Sequence, residues 1–152
     1  DSFTCMTDDP LAFEVFNEIG IIDQLAGTMF ASVMPAGMTQ AQFTVLNHFV
    51  RLAVVEKSPA DLANAFQLTR PTMTSTLYRM ERAGLVSIRP DPTDGRAKLV
   101  SITSEGRAMR ENCISALLPL LPMIDSVVRA AELSELLPAL RKIRVKLDAL
   151  RD

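Results

Sequence analysis

Cysteine is scarce in this chain of 152 residues, which carries two, Cys5 and Cys113. Two thiols cannot build a disulfide framework, and neither has the close-spaced thiol or histidine partner that a zinc site needs. A reducing, cytoplasmic setting is the expectation. Histidine is scarcer still, with His48 alone. A glycine-rich phosphate loop and a cluster of metal-ligating side chains are both missing, so neither an enzyme nor a bound metal or cofactor is expected. An export leader would need a basic start and an apolar run, whereas the sequence opens Asp1-Ser2-Phe3-Thr4-Cys5 with acids at Asp8 and Asp9. The longest stretch free of formal charge, Gln24 to Val50, is interrupted by Gly27, Pro35, Gly37, Thr39, Gln40 and Gln42. A spanning helix needs ~20 mostly apolar residues, so no membrane crossing is expected.

What is there is the balance of one soluble globular domain over residues 1–152, with 48% hydrophobic and 22% charged residues. The net charge of −2 hides an uneven distribution. Residues 1–69 set Arg51 and Lys57 against eight acids, a net −6. Residues 70–110 set Arg70, Arg79, Arg82, Arg89, Arg96, Lys98, Arg107 and Arg110 against Glu81, Asp91, Asp94 and Glu105, a net +4. A basic segment inside an acidic chain points to a local polyanion contact, because phosphate binding depends on where cations converge rather than on the overall charge.

Helical periodicity runs from Leu11 to Met34 through Phe13, Phe16, Ile19, Ile22, Leu25, Ala26, Met29, Phe30 and Val33, and Pro35-Ala36-Gly37 ends it. Thr39 with Gln42 three residues on is a capping box, and Phe43, Leu46, Phe49, Val50 and Ala53 give the second helix its apolar stripe. Ser58-Pro59-Ala60-Asp61 starts a third: hydroxyl cap, proline where no amide bond is lost, acid in the first turn. After Gln67-Leu68-Thr69 a fourth helix runs from Arg70 to about Ala83, capped by Thr69 and ended by Gly84. The period then shortens. Val86 and Ile88 alternate with polar residues, Leu99-Val100-Ser101-Ile102 is a second β-prone run, and Pro90 to Lys98 reads as the loop between them. Thr103 with Glu105 caps a fifth helix, kinked at Pro119 and Pro122. A last helix carries Leu133, Leu136, Leu137, Leu140, Ile143, Leu147 and Leu150.

Helix, helix, second helix of a turn and hairpin, in that order, make a mainly α fold with a small β-hairpin: a winged helix-turn-helix core. On the fourth helix Met73, Leu77, Met80 and Gly84 share one side. Pro71, Ser75, Tyr78 and Arg82 lie opposite, with Thr72, Thr74 and Arg79 on the flanks. That outward face carries hydroxyls and cations suited to base edges and phosphates, and Arg70 stands beside the helix N-terminus. Arg96, at the tip of the hairpin loop, suits the negative potential of a narrow A·T-rich minor groove, with Lys98 behind it.

These residues resemble the multiple-antibiotic-resistance regulator (MarR) type of bacterial winged-helix transcription factor. The likeness is densest from Met38 to Arg107. It runs through Met38-Thr39-Gln40-Ala41-Gln42-Phe43, Asp61-Leu62-Ala63, Arg79 to Val86, and Asp91 to Lys98, and ends with Ile102-Thr103-Ser104-Glu105-Gly106. The Asp-x-Arg wing element followed by Thr-x-x-Gly is the specific part. The resemblance implies a winged core at 38–107 flanked by dimerisation helices at 9–35 and 108–151. It implies a homodimeric repressor of transcription on double-stranded DNA, with Arg96 in the minor groove and Asp94 holding the wing by a salt bridge. Two-fold symmetry makes the operator pseudo-palindromic. Family members often have a basic residue where Ser75 stands and a non-proline where Pro71 stands.

The resemblance also implies a small aromatic or phenolic effector, and the charge-free region offers Phe16, Met29, Phe30, His48 and Phe49 to line a pocket, with Arg51 for an anionic group. Core packing competes for each apolar member of that set. Cys5 is available as a redox-sensing thiol, whereas Cys113, on a helix stripe, reads as a small core residue. The competing class is a winged-helix protein-interaction module, in which the basic helix and wing face an acidic protein instead of DNA.

Overall fold

The computed structural model describes residues 8–151. The chain divides into two compact units, residues up to 116 and residues from 117 on. In chain order the first unit comprises α1 (Leu11–Val33), α2 (Gln40–Arg51), α3 (Pro59–Ala65), α4 (Arg70–Arg82), β1 (Val86–Asp91), β2 (Asp94–Ile102) and nearly all of α5 (Ser104–Leu117). The second holds a short 3-10 turn (Leu118–Leu120), α6 (Leu121–Asp125) and α7 (Ala130–Ala149).

Local chemistry sets the helix starts. The Thr39 hydroxyl accepts the Gln42 amide at 3.2 Å while the Gln42 side chain accepts the Thr39 amide at 3.3 Å, closing the capping box of α2. Ser58 accepts the Asp61 amide at 3.1 Å and Thr69 the Thr72 amide at 3.3 Å, starting α3 and α4. Gly84, at φ +76°, turns the chain out of α4 in a conformation that glycine adopts without steric cost. Thr103 accepts the Gly106 amide at 3.0 Å to start α5 and donates its hydroxyl to the Gly84 carbonyl at 2.6 Å, tying the end of one helix to the start of the next. Each cap satisfies an amide that has no partner inside its own helix.

Between these elements lies one core. Val45, Leu46 and Phe49 of α2, Leu62 and Ala63 of α3, Met73, Leu77 and Met80 of α4, Leu85, Val86 of β1 and Val100 of β2 are all buried and packed together. Cys113 of α5 is fully buried as well, and burial pushes its thiol pKa up, which suits an inert packing residue.

The hairpin corrects the expected loop. Pro90 to Lys98 does not bulge out as an unpaired segment: β1 and β2 run antiparallel from Val86↔Ile102 to Pro90↔Lys98 and pair again at Asp91↔Asp94. The turn is only Pro92-Thr93, and Gly95, Arg96 and Ala97 form the irregularity between the two stretches of pairing. Asp91 makes this possible by accepting both the amide and the hydroxyl of Thr93, at 2.9 and 2.8 Å. A contact the sequence reading lacked fastens the base of the hairpin: Lys57, just before α3, exchanges two backbone bonds with Val100, at 3.0 and 2.8 Å.

In the second unit Pro119 and Pro122 do more than kink a helix. They fall in the 3-10 turn and the first turn of α6, each where a missing amide costs nothing, so the helical path is broken into short pieces. The Glu132 carboxylate accepts the Arg129 amide at 2.9 Å and sets the start of α7, which continues through Pro138. Among the described residues no single helix is long and apolar enough to cross a bilayer.

Candidate nucleic-acid interface

The fourth helix divides by face as its spacing predicts. Met73, Leu77 and Met80 are buried, while Pro71, Thr72, Thr74, Ser75, Tyr78, Arg79 and Arg82 are all exposed, Tyr78 at 52%. The buried side chains fix α4 against α2 and α3 and leave the hydroxyls and cations to solvent. An open cleft of about 700 Å³ separates α4 from the wing. Arg70, Thr74 and Tyr78 line it from α4, and Arg96 and Lys98 from β2. Five predicted DNA-contact residues therefore share one concavity, together with the predicted wing residue Asp94. Pro71, Thr72, Ser75, Arg79 and Arg82 stand on the exposed part of α4 outside the cleft lining.

The cations on this surface are free to engage an external anion. Among the described residues no ion pair involves Arg70, Arg79, Arg82, Arg96 or Lys98. Helix α4 itself supplies less: Pro71 has no amide to give, and the Thr72 amide is already taken by Thr69. Two of the first-turn amides are thus unavailable to an anion, which puts the weight of recognition at this helix start on side chains.

Asp94 departs from the role the resemblance implies. Among the described residues it makes no ion pair; its Oδ1 accepts the Arg96 backbone amide at 3.1 Å, closing a tight side-chain turn that sets the local path of the chain under Arg96. The ion pair of the wing lies elsewhere. Arg89 of β1 donates Nε and Nη2 to Glu56 Oε1, at 2.9 and 2.7 Å, and Nη2 also to Oε2 at 2.9 Å. On the α4 side, Glu81 Oε2 accepts the Ile88 amide at 3.1 Å. Glu56, Glu81 and Arg89 were not singled out from the sequence, because Glu56 and Arg89 are 33 residues apart and no local pattern joins them. The Asp91 carboxyl, at the wing turn, is held below its ordinary pKa, chiefly by the Thr93 amide and hydroxyl.

The residues expected to line an effector pocket are distributed over α1 and α2. Phe49 is fully buried in the core, packed among Val45, Leu46 and Leu62, and has no surface to offer a ligand. His48 is half-buried, its ring edge-on to Phe66 at 5.0 Å and to Phe49 at 6.4 Å between centroids, a packing position at the edge of the core. Phe16 is exposed on α1, Met29 and Phe30 are half-buried there, and Arg51 is exposed at the end of α2. None of the six lines the cleft beside α4. Cys5 lies outside the described residues.

A family model described as MarR family matches residues 36–97, which run from the turn before α2 through α3 and α4 into the wing as far as Ala97. The solved structure of a MarR point mutant from E. coli complexed with operator DNA is 26% identical, with a TM-score of 0.68 over 89% of this chain and 99% of that one. The winged core of this chain is thus similar to MarR-family regulators in sequence and in fold. Among curated relatives, the transcriptional activatory protein BadR of Rhodopseudomonas palustris is 37% identical over 81 residues, covering 53% of this chain and 46% of BadR. The HTH-type transcriptional repressor Rv2887 of Mycobacterium tuberculosis is 28% identical over 129 residues, 82% of this chain and 78% of the relative. The MarR match thus falls on the helix-turn-helix and wing, the part of the chain that holds the unpaired cations.

Proposed function

We propose that this protein is a MarR-type, sequence-specific DNA-binding regulator of transcription that works as a homodimer. The carrying observation is that Arg70, Thr74 and Tyr78 of α4 and Arg96 and Lys98 of the wing line one cleft, with no ion pair among the described residues to occupy their cations. In this reading α4 enters the major groove. Thr74, Ser75 and Tyr78 meet base edges or phosphates, with Pro71 and Thr72 close to the backbone, and Arg70, Arg79, Arg82 and Lys98 neutralise phosphates. Arg96 reaches the adjacent minor groove, and Asp94 shapes the turn beneath it.

Residues 38–107 serve as the DNA-binding core, and residues 9–35 and 108–151 pair two copies. The apolar residues of α1 and α7 support the pairing: none is buried within the chain, and Phe13, Ile22 and Leu25 are 56%, 59% and 67% exposed. A two-fold pair sets its recognition helices on half-sites roughly 34–36 Å apart, hence a pseudo-palindromic operator. The repressor named among the relatives and the operator complex of the E. coli protein support repression by occupancy. Release by a small aromatic or phenolic effector completes the reading, with Phe16, Met29, Phe30, His48 and Arg51 as its candidate contacts.

Titration of labelled duplexes from around the protein's own gene, followed by anisotropy at several salt concentrations, tests this. Five free cations per subunit set a ceiling of about −9 on the log–log salt slope of the dimer, at roughly 0.9 per phosphate. Arg96→Ala should lower the slope by about two units per dimer and weaken A·T-flanked sites most. Absence of duplex binding at low salt, or binding indifferent to salt, would overturn the assignment.

A further inference from the structure

Two strands alone are marginal in water, so the direction of the wing is set by what its base is fastened to. Besides the buried Val86 and Val100, three polar fastenings are present among the described residues. Lys57 and Val100 exchange backbone bonds at 3.0 and 2.8 Å. Glu81, partly buried on α4, accepts the Ile88 amide at 3.1 Å. Farthest out along β1, the Arg89 guanidinium straddles both oxygens of Glu56, with bonds of 2.7 to 2.9 Å. Past Arg89, among the described residues, no hydrogen bond or ion pair joins residues 90–98 to anything outside the hairpin.

We propose that Glu56, Arg89 and Glu81 are positioning residues for the DNA interface: they fix the angle between wing and α4, and so decide whether Arg96 and α4 reach one duplex together. The inference rests on the DNA-binding reading above. Arg89 pairs with Leu99, three residues from Arg96, which puts Arg96 roughly 10 Å out on a lever at about 3.4 Å per residue. A pivot of about 20° at that pair moves the Arg96 backbone some 3–4 Å sideways, a large part of a minor groove only ~6 Å wide. A forked carboxylate–guanidinium pair resists such a pivot because two parallel bonds fix orientation as well as distance. With side chains 48% and 30% exposed, the pair adds little to fold stability, and its effect is directional. Arg89 also faces the cleft, yet Glu56 already occupies its charge.

Glu56→Gln separates positioning from bulk electrostatics. It removes a negative charge beside the cleft, so by charge alone it tightens binding. If the pair aims the wing, the variant instead loses roughly tenfold of its preference for A·T-flanked duplexes, and its salt slope falls by about two units per dimer as Arg96 disengages from each half-site. The charge-swapped pair Glu56→Arg with Arg89→Glu restores both. Amide exchange of Arg89 and Leu99 in the DNA-free protein gives a second readout: at least tenfold faster in Glu56→Gln and in Glu81→Ala, and back to the parent rate in the swapped pair. Undiminished A·T preference in Glu56→Gln, parent-like exchange in the single variants, or a folded swap that restores nothing would each overturn the proposal. A parent protein that binds no duplex overturns the DNA-binding reading, and the exchange rates then still decide whether these residues hold the wing.

Discussion

The winged core and the terminal helices treat the same kind of sequence in opposite ways. Helices α2, α3 and α4 hide their apolar stripes completely at Leu46, Phe49, Leu62, Met73 and Leu77. Helices α1 and α7 bury no residue, although their stripes are at least as long. A periodic apolar stripe announces that a face will be covered, and does not say whether the cover lies in the same chain. In the core the cover is intramolecular, and in the proposed dimer the remaining stripes find theirs in a second copy.

The sharpest way to break this contrast is to truncate one aromatic residue on each side of it. Phe49→Ala should cost roughly 3–5 kcal/mol in urea or thermal unfolding, because it empties a fully enclosed site. Phe13→Ala on α1, where the ring is 56% exposed, should cost far less per chain; equal losses would erase the distinction. Next comes Gly106→Ala. A methyl group there would sit far inside van der Waals contact distance of the Leu85 carbonyl oxygen and 2.8 Å from Ile102 Cγ1. That carbonyl already accepts the Thr103 amide at 3.1 Å and cannot easily give way. Overpacking of about 1–3 kcal/mol should therefore exceed the ~1 kcal/mol gained by replacing glycine in a helix, and a more stable variant would show the contact to be soft.

Leu25→Ser should change the stability of the core by about 0.5 kcal/mol or less, yet move the sedimentation coefficient at micromolar concentration from dimer toward monomer. An unchanged dimer would place its interface away from this part of α1. The smallest effect belongs to Glu105, whose carboxyl lies below its ordinary pKa because of backbone and Ser104 hydrogen bonds at the start of α5. A depressed folded-state pKa means a stabilising contribution present above the unfolded value and lost as pH falls through the folded one. Glu105→Gln should flatten that acid limb slightly and lose the same small contribution at neutral pH, while matching the parent at low pH in unfolding measured across the acid range.

What was legible in the sequence was local. Thr39, Ser58, Thr69 and Thr103 act within three residues of the amides they bind, so spacing alone reveals them. The buried face of α4 was equally readable, because Met73, Leu77 and Met80 obey the helical period. The wing departs from its sequence pattern where Pro90, Asp91 and Gly95 look like loop residues, since strand pairing there is dictated by the opposite strand. Glu56–Arg89 and Lys57–Val100 were invisible for the related reason that they join distant segments. For the candidate site this divides the work: which side chains face outward could be read from α4 alone, whereas the ties that aim the wing could not. Phe49 shows the same limit from another side, because an apolar residue in a charge-free stretch is assigned to pocket or core only by its neighbours.

The Lys57–Val100 bridge has a kinetic corollary. Its two hydrogen bonds close a loop that contains all of α3 and α4, so loop-closure entropy must be met before they form, while the helix pair inside needs only short-range encounters. The helix-turn-helix and the hairpin can therefore each assemble early on the refolding pathway, with the Lys57–Val100 bridge closing afterwards.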